Sequence, residues 1–157
     1  MKATFYVEVF RRRVGKTQLC CISSELHLER TVVCSSSAML GASCSDSKAI
    51  IAEIARLLEV LNSERPDSSD IDVVCHTTCD NVLWDWHYVI FQSPRKNKPQ
   101  WARLKKAAES VSSFDIQGAG ILSRSIRDKA RLFMDERVEF HYANACTQSI
   151  RSSRSGH

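Results

Sequence analysis

Residues 71–79, Ile71-Asp72-Val73-Val74-Cys75-His76-Thr77-Thr78-Cys79 ("IDVVCHTTC"), open on a short, near-continuous apolar run rich in β-branched side chains. A run of this kind is what a strand buried on both faces requires, so it predicts a central strand reached by a crossover connection. Upstream, "ATFYVEVFRRR" (residues 3–13) sets Phe5, Val7 and Val9 against Tyr6, Glu8 and Phe10, the period of two that marks a strand. Gly15 supplies a turn, and Gln18 to Leu28 and Arg30 to Ala38 follow as two further strands, so the chain opens as an antiparallel meander. "GASCSDS" (residues 41–47) ends in Ser47, a candidate helix cap. Ile50, Ile51, Ile54, Leu57, Leu58 and Leu61 then recur at helical spacing, which predicts an amphipathic helix from Lys48 to Asn62. "SERPDSSD" (residues 63–70) breaks the chain just before the buried strand.

Downstream, "DNVLWDWHYVIF" (residues 80–91) fits a helix that Asp80 can cap, and Pro99 stands where the next helix begins, with Trp101, Leu104 and Ala108 on one face. A strand in "FDIQGAGIL" (residues 114–122) and a helix from about Ser125 to Arg137 complete the order βββ, α, β, α, α, β, α. That order predicts an α/β domain: a five-stranded mixed sheet, in which a three-stranded antiparallel meander is extended by two parallel strands, flanked by helices.

The chain has 157 residues, 43% of them hydrophobic, which suits one core and one domain, expected over residues 1–140. Residues 141–157 are polar and basic, and a disordered tail is expected there. Seven cysteines, an odd number without regular spacing, argue against a secreted disulfide framework; with no signal peptide evident, an intracellular, cytoplasmic setting is expected. No apolar run approaches the roughly 20 residues a membrane span needs, so no membrane partner is expected.

Net charge is only +4, but its placement is uneven. Arg95, Lys96, Lys98, Arg103, Lys105 and Lys106 fall within residues 95–106 with no acid among them. Crowded like charges repel unless an anion neutralises them, and a phosphate backbone is the commonest polyanion, so these six are candidate nucleic-acid contacts. Trp84, Trp86 and Trp101 lie beside them, either stacking on the ligand or filling the core; for Trp101, in phase with Leu104, the core is the better fit.

The stretches "DVVCHTTCDNVLWDWHYV", "NKPQWARLKKAAES" and "FDIQGAG", with "FYVEVF" and "SKAIIAEIARLLEVL" before them, resemble type 1 ribonuclease H over roughly residues 3 to 137. The resemblance implies a ribonuclease H-like fold and, in the family, hydrolysis of the RNA strand of an RNA–DNA hybrid by a two-metal mechanism. The family's metal-binding acids come from the first strand, the first helix, the end of the fourth strand and the start of the last helix. The most natural alignment places Arg12, Ile50, Thr77 or Thr78, and a residue near Asp128 at those positions. Cations and neutral groups cannot replace the hard, anionic oxygens that Mg2+ requires, so that alignment implies a degenerate catalytic set. A shifted set in the same chain order, Glu8, Glu53, Asp80 and Asp128, is the alternative. Its Glu8, Glu53 and Asp80 would hold Mg2+ or Mn2+ in an active enzyme. The histidine-bearing loop of the family has no counterpart in "GAGILSRSIRDKA".

Cys75, His76 and Cys79 form a C-H-x-x-C cluster that suggests zinc, but a second ligand pair at suitable spacing is missing, and Cys75 suits a buried strand position. The leading expectation is therefore a ribonuclease H-like module that binds RNA or an RNA–DNA hybrid, or serves assembly, without its catalytic carboxylates and without a cofactor. An active metal-dependent ribonuclease and a protein-interaction module with no nucleic-acid role are the two alternatives.

Overall fold

A computed structural model describes the backbone of residues 1–41, 43–91 and 93–154, and side chains for 1–41, 43–88 and 93–139. Its elements are β1 (Lys2–Val14), β2 (Thr17–Leu28), β3 (Thr31–Met39), α1 (Asp46–Glu64), β4 (Asp72–His76), α2 (Asp80–Phe91), α3 (Lys98–Ala108), β5 (Ser113–Gln117) and α4 (Ser123–Arg154). The sheet order is β3-β2-β1-β4-β5. β2 pairs antiparallel with β1 and with β3, while β4 pairs parallel with β1 and with β5. This is the meander extended by two parallel strands that the sequence predicts.

Because side chains alternate across a strand, β1 serves two layers. Phe5, Val7 and Val9 join Ile22 and Leu26 against the buried stripe of α1, Ile50, Ile51, Ile54, Leu57, Leu58 and Leu61, to make the main core. Trp101, Leu104 and Ala107 of α3 close it. On the opposite face Phe10 and Cys21 meet Ala130 and Met134 of α4 in a smaller cluster. Arg12 bonded to Asp135, and Lys129 to Glu25, fasten α4 to that face.

Four boundaries differ from the sequence reading. Ser45, not Ser47, caps α1, its hydroxyl accepting the Lys48 amide hydrogen at 3.3 Å. β5 stops at Gln117 rather than running on to residue 122. Gly118 to Leu122 form a loop in which a Cβ on Gly120 would lie 2.7 Å from His76 Cγ, a close approach only glycine allows. α4 consequently starts at Ser123. It also continues to Arg154, across most of the segment expected to be a disordered tail, since no Gly or Pro interrupts residues 121–154. Residues 155–157 lie outside the described residues. No described helix is long and apolar enough to cross a membrane.

Candidate nucleic-acid interface and candidate metal centre

Register creates the site. The β1–β4 ladder ends at Tyr6 opposite His76, so Glu8, two residues further on, lies beside the chain leaving β4. There the Thr78 amide donates to Glu8 Oε1 at 3.0 Å and the Thr78 hydroxyl to Oε2 at 2.5 Å. Glu8 is 1% exposed, and burial pushes its carboxyl above the ordinary value, against the opposing pull of the Thr78 hydrogen bonds, Arg127 and Ser123. Ser123, the first residue of α4, ties down the loop before it, its Oγ accepting the Gly120 amide hydrogen at 2.8 Å. His76 holds that loop through a 2.8 Å contact between Nδ1 and the Gly118 carbonyl oxygen, with its ring stacked on Tyr6.

Four elements line the cleft above Glu8. β1 gives Glu8 and Val9, α1 gives Asp46 and Ile50, the exit of β4 gives Thr78 and Cys79, and α4 gives Arg127. Asp46 is engaged by the guanidinium of Arg11. A divalent Mg2+ or Mn2+ ion needs several negatively charged oxygens at once. One buried carboxyl whose charged form is disfavoured, one carboxylate already paired, an isoleucine and an arginine do not fit that requirement. Among the described residues no three His, Cys, Asp or Glu side chains are grouped to hold a metal ion.

The residues proposed from sequence separate accordingly. Glu8 reaches the cleft; Glu53, Asp80 and Asp128 do not line it. Glu53 turns towards β2, accepting from Ser24 Oγ at 2.8 Å and from Arg56 Nε at 3.0 Å. Asp80 is exposed at the first residue of α2, and Asp128 faces Arg131 at 3.7 Å. Of the two β1 candidates for the first position, Glu8 lines the cleft and Arg12 does not, its guanidinium bonding Asp135 of α4. Ile50 and Thr78 line the cleft, and the residue of α4 that borders it is Arg127 rather than its neighbour Asp128. Of the zinc candidates, Cys75 is fully buried in the sheet with its thiol pushed far up by desolvation, and His76 is committed to Gly118.

The upward shift of the Glu8 pKa has a measurable sign. The folded carboxyl titrates above the ordinary 4.5, so the folded state binds the extra proton and Glu8's contribution to stability is greatest below 4.5, fading as pH rises through the folded value. Glu8→Gln is therefore expected to melt higher than the parent at neutral pH, the gap closing on acidification. Thermal melts from about pH 4 to about pH 8 test this, and an equal deficit in the variant at both ends would refute it.

A second cleft lies at α1 and α2. It is lined by Ser47 of α1, by Asn81, Asp85 and Tyr88 along one side of α2, and by Pro94, Arg95 and Lys96. Arg95, Lys96, Lys98, Lys105 and Lys106 are exposed. Arg103 is not equivalent to them: its Nε and Nη2 meet the Glu59 oxygens at 2.8 and 2.7 Å, which holds the Glu59 carboxyl below its usual range. The tryptophans also divide. Trp101 is 0% exposed and Trp86 stacks on it with centroids 6.0 Å apart, donating its Nε1 hydrogen to Asp115 at 2.9 Å. Trp84 is 68% exposed and Tyr88 51%. Helical phase alone carries this signal, because residues two apart project about 200° from each other, so with Trp86 inward Trp84 must face out.

No protein-family model matches the chain, and no curated protein does. Solved structures do. LC11-RNase H1, isolated from compost by a metagenomic approach, is 16% identical with a TM-score of 0.66 over 87% of this chain and 98% of that one. LC11-RNase H1 in complex with an RNA/DNA hybrid gives 15% and 0.62 over 82% and 92%. RNase H1 of the halophilic archaeon Halobacterium salinarum gives 10% and 0.59 over 83% and 94%. The chain has the ribonuclease H-like fold.

Proposed function

We propose that this ribonuclease H-like domain binds RNA or an RNA–DNA hybrid through the phosphate backbone and does not hydrolyse it. The observation that carries the reading is the lining of the cleft at the ends of β1 and β4. The four elements that supply metal-binding acids in the family supply Glu8, Asp46 with Ile50, Thr78 and Arg127 here; of the two carboxylic acids, Glu8 is buried with its charged form disfavoured and Asp46 is paired with Arg11. The binding half rests on the exposed Arg95, Lys96, Lys98, Lys105 and Lys106 beside the exposed rings of Trp84 and Tyr88. Cations that follow a backbone, next to aromatic faces on which bases or sugars can lie, suit a strand held without reading its sequence. The hybrid in the LC11-RNase H1 complex supports the choice of ligand.

A labelled hybrid, titrated by fluorescence anisotropy at low salt and then resolved on a denaturing gel, tests both halves. Binding in EDTA is expected, with an intact RNA strand after incubation with Mg2+ or Mn2+. Metal-dependent cleavage abolished by Glu8→Ala would instead establish an active ribonuclease. Absence of binding at low salt would leave the protein-interaction module as the better description.

A further inference from the structure

The cleft above Glu8 contains a cation beside its two carboxyl groups. Arg127 is exposed, borders the cleft, and among the described residues forms no ion pair within 4.0 Å. The two carboxylates nearby are otherwise engaged: Asp46 by Arg11, and Glu8, beneath the floor, by both Thr78 donors. The guanidinium of Arg127 thus keeps its donors for something that enters from solvent. An anion with several oxygens suits a planar fork of N–H groups better than any other ligand class.

The neighbouring cleft indicates which anion. The chain around the starts of α1 and α2 contributes to both clefts: Asp46, Ile50 and Cys79 line one, and Ser47 and Asn81 line the other. Asp46 and Ser47 are adjacent in the chain, so a polymer lying along Arg95 and Lys96 can continue past the start of α1 into the cleft that Arg127 borders. A polymer with a charge at every unit can place one phosphate in each cleft, whereas a free phosphate would have no use for their adjacency.

We infer that Arg127 stands in for the divalent cation of an active centre, pairing with one backbone phosphate of the bound strand so that the cleft grips nucleic acid without metal. The inference rests on the binding function proposed above and specifies how one part of the interface works. A fixed guanidinium holds a phosphodiester but provides no activated water. The strand is therefore retained rather than cut.

The test compares the parent, Arg127→Gln, Arg127→Lys and Arg131→Gln for binding of a labelled RNA–DNA hybrid in EDTA over a range of salt concentrations. Arg131, whose partner is Asp128, serves as the control on the same helix. All positions are exposed, and matched thermal melts confirm that the fold is kept. Arg127→Gln should weaken binding by about tenfold or more, as expected for a charged hydrogen-bonded pair, and flatten the salt slope by about one. Arg127→Lys should keep the parent slope while losing part of the affinity, and Arg131→Gln should match the parent. Adding Mg2+ should weaken parental binding by screening and not strengthen it. If the parent binds and Arg127→Gln matches it in affinity and slope, this inference falls and the binding function stands; if the parent does not bind, both fall.

Discussion

Trp101→Ala is expected to lower the thermal midpoint by on the order of 10 °C. The loss follows from about 3–5 kcal/mol for removing a buried aromatic, at about 2–4 °C per kcal/mol in a chain of this length. Trp101 is fully enclosed by the main core and stacked on Trp86, and its removal opens the seam between α3 and α1. Its Nε1 has no hydrogen-bond partner, so Trp101→Phe forfeits area and stacking but no hydrogen bond and should fall between parent and alanine variant. Trp84→Ala provides the contrast: exposed, it should leave the midpoint nearly unchanged, within about 0.5 kcal/mol, and weaken hybrid binding if a base stacks there. A Trp101→Ala protein that melts with the parent but binds poorly would reverse the two assignments.

Changing Lys96, Lys98, Lys105 and Lys106 together to Gln should produce the largest functional effect. Each phosphate neutralised on a duplex contributes about 0.9 to the salt slope, so four contacts would flatten it by up to about 3 to 4 and reduce affinity more than tenfold at low salt. The fold should persist, since the four side chains are exposed. Anisotropy titrations at several salt concentrations measure the slopes, and equal slopes for parent and variant would remove the phosphate-gripping role. Arg103→Gln belongs in the same series. Its guanidinium is tied to Glu59, so its loss should cost a surface ion pair and leave the slope as it was.

That contrast shows where one-dimensional reading runs out. The period-two run of residues 3–13 and the apolar stripe of α1 are properties of neighbours along the chain, and they were legible. Arg103 and Lys105 carry the same charge and lie two residues apart, and only the packing of α3 on α1 distinguishes them. Glu53 illustrates the same limit within one helix. Three residues after Ile50, it is turned back by about 60°, enough to exchange the cleft for Ser24 and Arg56. The choice between Arg12 and Glu8 depended on where β4 stops along β1, a register that no local pattern encodes. The exposure of Trp84 was within reach of helical phase. The length of α4 was signalled by what residues 121–154 omit rather than by any motif they contain.

The position of β1 at the middle of the sheet also dictates an order of assembly. During synthesis β1 can zip to β2 within seconds, through the tight turn at Gly15, but its other edge must wait for β4, whose pairing residue for Tyr6 is His76. Until α1 folds, Phe5 and Val7 have no helix above them, and until β4 pairs, a full row of backbone donors and acceptors stands open beside them. Such a row is a template for another chain. The parallel pairing of β1 with β4 thus makes the nascent meander the most aggregation-exposed stage in the life of this domain, and α1, which carries the chain from the meander to β4, is the segment whose prompt folding shortens it.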